Sequence, residues 1–138
     1  MSYTLLNLKN DVEDMAPRFQ MGDGIEAHFA RKALGLEKSG LAYFKLGPDY
    51  VIPFGHRHDE QEEIYLVVSG AARVKLDDEE LELQPLDAVR IPAGVTRGLA
   101  AGPDGAEVIA FGAPNNENGD LEMIPGFFTS EDGTDGGP

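Results

Sequence analysis

From Gly40 onward the chain alternates apolar and polar positions in short runs separated by turn residues. Ala42, Phe44 and Leu46 alternate with Tyr43 and Lys45 until Gly47-Pro48-Asp49 breaks the run. In Glu63–Ser69, Ile64, Leu66 and Val68 point one way and Glu63, Tyr65, Val67 and Ser69 the other, so a strand covered on both faces is predicted. Gly70 reads as a turn into Ala72, Val74 and Leu76, and Asp77-Asp78 as a second turn into Leu81 and Leu83. Ala88–Ile91, Thr96–Ala100 and Ala106–Phe111 supply three more strands, separated by Pro92-Ala93-Gly94 and Gly102-Pro103-Asp104-Gly105. Short strands at even spacing, with no long amphipathic helix to compete, predict an all-β sandwich or barrel.

The two ends are less regular. Tyr3–Leu8 is an apolar run suited to a first strand, and Lys9–Gly24 reads as loop with a helical turn. Ile25–Leu36 fits either a strand through Ala27 and Phe29 or a short helix ending at Gly35. After Phe111 the chain turns Asn-, Gly- and acid-rich, and Gly133–Pro138 is expected to be disordered. Met123, Ile124, Phe127 and Phe128 interrupt that tail and are expected to dock on the barrel or on a second subunit. The chain thus divides into an arm (1–39) within the same domain, a barrel core (40–112) and a partly disordered tail (113–138).

Composition narrows the chemistry. With 138 residues, 41% hydrophobic and 26% charged, the chain supports one globular core. Net charge is −14, from 25 acidic against 11 basic residues, which argues against nucleic acid or membrane as partner. No leader-like or membrane-length apolar run is visible, so a cytoplasmic address is expected. The absence of cysteine excludes disulfides, thiolate metal sites and a cysteine nucleophile. Any metal must be held by histidine and carboxylate.

Two of the three histidines stand in His56-Arg57-His58, where extended backbone puts both imidazoles on one face and Arg57 on the other. Glu63 follows five residues after His58, on the face of Tyr65 and Val67. Two imidazole nitrogens and one carboxylate oxygen suit Fe(II), Mn(II), Ni(II), Co(II) or Zn(II). The competing reading is a solvated loop, with the imidazoles among Asp59, Glu60 and Glu62. Tyr65 and Gln61 are candidates for lining a pocket or binding a ligand, with simple core packing the favoured alternative for Tyr65, and His28, alone in its segment, reads as structural.

The stretch from His56 to Gly70, HRHDEQEEIYLVVSG, resembles the first motif of the cupin superfamily: Gly, five residues, His-x-His, three or four residues, Glu, six residues, Gly. His56, His58, Glu63 and Gly70 fit it, whereas Tyr50 holds the place of the opening glycine. Leu86–Ala101, LDAVRIPAGVTRGLAA, follows the frame of the second motif and keeps its Pro92 and Gly94. Leu86, Arg97 and Ala101 replace that motif's Gly, His and Asn. The resemblance spans roughly Gly40 to Gly112 and implies a small single-domain cupin of the conserved-barrel type. The implied fold is a double-stranded β-helix, an antiparallel jelly-roll barrel.

For function the resemblance implies less, because cupins include dioxygenases, isomerases, decarboxylases, storage proteins and ligand-sensing domains. In metal-binding cupins the second-motif histidine joins the first-motif pair and the glutamate as a ligand. Arg97 cannot, since its guanidinium stays protonated and has no lone pair to offer. Either Arg97 points inward and pairs with Glu63, an attraction of order 4 kcal/mol at about 4 Å and an effective dielectric near 20, or it bends away. In the second case His56, His58 and Glu63 form an open facial site, and Arg97 holds a substrate anion. Three function classes follow: a metal-dependent oxygenase or isomerase on a small polar or anionic molecule; a metal-free binding or sensing module anchored by Arg97; and a dimeric interaction domain with a vestigial pocket. Homodimerisation through the Ile64, Leu66 and Val68 face is expected.

Overall fold

The computed structural model describes residues 2–115 and 119–128. Among these residues are eight strands: β1 (Ile25–Phe29), β2 (Gly40–Leu46), β3 (Phe54–His58), β4 (Glu62–Leu76), β5 (Glu79–Leu83), β6 (Ala88–Ile91), β7 (Arg97–Ala113) and β8 (Leu121–Pro125). Every pairing between them is antiparallel. The two long strands, β4 and β7, run through both halves of a folded-over sheet. One half has the order β1-β2-β7-β4-β6, the other β8-β3-β7-β4-β5. The double-stranded β-helix expected from the sequence is borne out.

The bends that fold the sheet account for two departures from the turn reading. Gly70 and Gly102–Gly105 do not end strands: β4 and β7 continue through them. The register between the two strands shifts at Val67/Ser69 and at Gly70/Ala72, so the extra residues kink the ladder without ending it. Gly70 has φ +73°, Gly105 has φ +80°, and a Cβ on Gly70 would lie 2.1 Å from the Gly105 carbonyl oxygen. Only glycine permits both the backbone and that approach. Residues 97–100 and Ala106–Phe111 are therefore parts of one strand, with Thr96 just before it.

Inside the fold lie Val67, Val74, Ile91 and Val108, all fully buried, contributed by β4, β6 and β7. On β4 the alternation holds, with Tyr65 and Val67 inward. Its outer face is not covered by other described residues: Ile64 is 36% and Val68 46% exposed.

Tyr3–Leu8 forms no strand, and Tyr3 and Leu5 lie exposed. The arm attaches further on, where the Met15 amide donates to the Ala27 carbonyl (2.7 Å) and a short 3₁₀ turn spans Ala16–Phe19. Ile25–Leu36 contains both alternatives in turn: β1, then α1 (Arg31–Leu34), closed by Gly35 at φ +74°. The tail contributes more order than expected. Residues 121–125 form β8 against β3, and Phe128 is buried. Cβ atoms on Gly55 and Gly98 would collide with the Phe127 ring, and one on Gly98 also with Phe128, so these glycines make the seat for the aromatic pair. Lys75 Nζ donates to the Phe127 carbonyl (3.0 Å) and lies 4.5 Å from the Phe127 ring centroid. The disorder expected for Gly133–Pro138 lies outside the described residues. No helix among the described residues is long and apolar enough to cross a membrane.

Candidate functional site

β3 carries both imidazoles into the barrel, with ring centroids 4.9 Å apart and nearly perpendicular. Arg57, between them, turns to the outside and pairs with Glu122 of β8. Glu63 enters from the start of β4. Its Oε1 lies 3.5 Å from His56 Nε2 and 4.0 Å from His58 Nε2. One donor atom from each of the three residues falls within a 4.8 Å group. The imidazoles are therefore not on a solvated loop.

Arg97, first residue of β7 and register partner of His56, is fully buried and points inward. Its Nη1 donates to Glu63 Oε1 at 2.7 Å. Nε donates to the Val95 carbonyl (3.3 Å), and Nη2 to the carbonyls of Val95 (2.9 Å) and Pro92 (3.3 Å). The turn before β7 thus folds back to saturate the guanidinium. Burial by itself pushes the Glu63 carboxyl up, but His56 and Arg97 outweigh it and hold the group below the ordinary glutamate range. Glu63 stays a carboxylate.

These groups form one end of a cavity of about 580 Å³, within the range of small-molecule sites. Tyr65 lines it, 4% exposed, and its hydroxyl has no hydrogen-bond partner among the described residues. Burial, with the Glu63 charge added, holds that phenol protonated, well above the usual tyrosine range. Gln61 also lines the wall, but its amide donates to the Pro114 carbonyl (3.3 Å) and its side chain packs over Gly112, where a Cβ would not fit. Phe29, Phe44, Leu41 and Met123 give the rest of the cavity an apolar lining.

Residues 42–111 match the family described as Cupin domain, about half of the chain. The chain belongs to the cupin family. No curated protein is similar enough in sequence to count as a relative. Several solved cupin-like structures share the architecture. KdgF from Halomonas sp. is 24% identical, with 86% of this chain and 98% of that one covered, at a TM-score of 0.66. A cupin protein from Bacteroides fragilis is 22% identical over 85% and 88% of the two chains, at 0.68. Pac13, a nucleoside dehydratase studied from Streptomyces, is 15% identical over 97% and 98%, also at 0.68. At these identities the likeness is one of fold.

Two residues of this cupin's site were not legible in its motifs. Asp120, just before β8, accepts from His58 Nδ1 at 2.7 Å through Oδ1, and from the Glu60 and Gln61 amides at 2.6 and 2.9 Å through Oδ2. Partial burial works against its charge, but the bonds from His58 and the two amides win, pulling its carboxyl down to about 2. The contact fixes His58 with Nδ1 donating and Nε2 facing Glu63. The other residue is Arg31, which opens α1, is half-buried and lines the cavity. His28, by contrast, is tied to the arm: its Nδ1 bonds the Val12 carbonyl (2.8 Å) and its Nε2 meets Glu26 (3.0 Å), away from the cavity.

Proposed function

We propose that this cupin binds a small polar organic molecule in its barrel and acts on it by proton transfer, with Arg97 supplying the fixed positive charge that a metal ion supplies elsewhere in the family. The observation that carries this reading is the 2.7 Å bond from Arg97 Nη1 to Glu63 Oε1. That same oxygen faces both imidazoles, so the guanidinium holds the ligand atom a cation would need. The donor set suits a divalent ion in its three members and fails in its fourth, because an ion would have to share its carboxylate with a buried cation. No step is derived through a metal.

In this arrangement His58 is oriented by Asp120 and offers Nε2 toward the cluster, and His56 faces Glu63 and lines the cavity beside it. Imidazole is the side chain suited to exchange protons near neutral pH, and proton transfer to or from a bound molecule contributes typically 100- to 10,000-fold in rate. Tyr65 donates a hydrogen bond to the ligand. Arg97 has most of its donors committed and serves as a positioning residue, and Gln61 shapes the wall. A vestigial pocket is disfavoured, since the cavity is roomy and the Tyr65 hydroxyl lining it has no protein partner among the described residues, which leaves it available to a ligand.

The second reading keeps His56, His58 and Glu63 as ligands to Fe, Mn, Ni, Co or Zn, and the compact donor group favours it. Such an ion would supply Lewis acidity at the same end of the cavity. Elemental analysis of tag-free protein after incubation with each ion separates the two readings. The metal-free reading expects well under one ion per chain, and one tightly held ion per chain would overturn it. We also propose homodimerisation through the uncovered outer face of Ile64, Val68 and Phe111. Light scattering that shows a monomer at micromolar concentration would contradict this.

A further inference from the structure

The cavity has a second polar place, at its mouth. The Ala30 amide donates to the Leu41 carbonyl (2.9 Å), which pins the start of α1 beside β2 and brings Arg31 to the opening. Arg31 Nε makes one long bond, 3.4 Å, to the Asn115 carbonyl. No carboxylate pairs with its guanidinium among the described residues. The contrast with Arg97, whose Nε and both Nη atoms are all engaged, is direct. Residues 31–38 hold Arg31, Lys32 and Lys38 against Glu37, a locally basic stretch in a chain of net charge −14.

Part of the cavity wall is aromatic: Phe19 and Phe29 meet edge to face at 6.3 Å, and Phe29 and Phe44 at 5.7 Å. The buried Tyr65 hydroxyl lines the same cavity, unpartnered among the described residues. A single guanidinium fork matches a carboxylate, whereas a phosphate dianion calls for more donors than this mouth offers. Arg31 follows the end of β1 by two residues and Glu63 is the second residue of β4, three strands away in the order β1-β2-β7-β4. Three spacings of about 4.8 Å put the two backbones roughly 14 Å apart along the sheet, room for one small ring compound between the side chains.

We propose that the ligand is a small ring-bearing carboxylate, its carboxylate on Arg31, its ring against Phe29 and Phe44, and a hydroxyl or carbonyl at the Tyr65 and His56 end. This deepens, and rests on, the reading of the cavity as a small-molecule site. The test titrates 4-hydroxybenzoate, its neutral analogue 4-hydroxybenzamide and inorganic phosphate into the full chain, into Arg31→Gln and into Arg31→Lys, by calorimetry. The wild type should bind the benzoate at least about tenfold more tightly than the amide. Arg31→Gln should abolish that preference and leave the amide's affinity unchanged, and Arg31→Lys should restore part of it. Equal binding of acid and amide, a preference that survives Arg31→Gln, phosphate binding as tightly as the benzoate, or no binding of either ring compound at millimolar concentration would each overturn the proposal. Repeating the titrations with Mn(II) keeps it apart from the metal-free reading. A preference that needs Mn(II) yet is lost in Arg31→Gln supports Arg31 and sinks the metal-free reading.

Discussion

The two ends of the cavity solve opposite problems. At the inner end, charge is buried and answered: Glu63 by Arg97, Arg97 by two backbone carbonyls, His58 by Asp120, and Asp120 by two amides. At the mouth, Arg31 and the rings of Phe19 and Phe29 are partly exposed, and the guanidinium has no carboxylate partner among the described residues. Inner-end groups are held in place before any ligand arrives, which is what proton transfer at a fixed point requires. The mouth retains unspent binding capacity, which suits recognition. Substitutions at the inner end should therefore be read in stability, and those at the mouth in affinity.

The largest effect belongs to Arg97. Arg97→Met leaves Glu63 buried without its cation and should cost about 3–5 kcal/mol in urea unfolding. Adding Glu63→Gln should recover much of that loss. A cost below about 1 kcal/mol would mean that the pair does not hold the inner end together.

Acid comes next. Asp120 and Glu63 both have carboxyls held below their ordinary values, Asp120 at about 2. A depressed folded-state pKa stabilises the fold fully above the unfolded value and loses that stabilisation as pH falls through the folded one. Stability should therefore decline between about pH 4 and pH 2. Asp120→Asn should flatten that limb, and Asp120→Ala should cost about 1–3 kcal/mol at neutral pH by leaving His58 and two amides short of an acceptor. Thermal midpoints against pH check both.

The smallest effect on stability is expected at the mouth. Phe29→Ala, at a ring 46% exposed, should change unfolding free energy by less than about 1 kcal/mol while weakening binding of ring-bearing ligands several-fold. A large loss of stability there would erase the contrast between the ends.

The same contrast governs how much could be read from the chain. His56, His58 and Glu63 lie within eight residues of sequence, and alternation alone puts the imidazoles on one face. Arg97 was legible as a departure from the second motif, but its direction depends on the carbonyls of Pro92 and Val95, which no spacing encodes. Asp120 is 62 residues from His58 in an Asn-, Gly- and acid-rich stretch, where nothing distinguishes one carboxylate from another. Arg31 follows a segment whose pattern fits strand or helix, and the chain forms both. The fold itself was legible because alternation survives the bends. Gly70 and Gly105 read as turns since a glycine at positive φ serves a turn and a bulge alike, and only the facing strand decides between them.

The central claim is that a guanidinium stands in place of the ion, and a calorimetric Mn(II) titration of wild type beside Arg97→His tests it most directly. The account predicts no stoichiometric binding by the wild type at micromolar Mn(II), and a gain of about a hundredfold in affinity once a fourth donor replaces the cation. Tight binding of one Mn(II) by the wild type, with no improvement in Arg97→His, would contradict it.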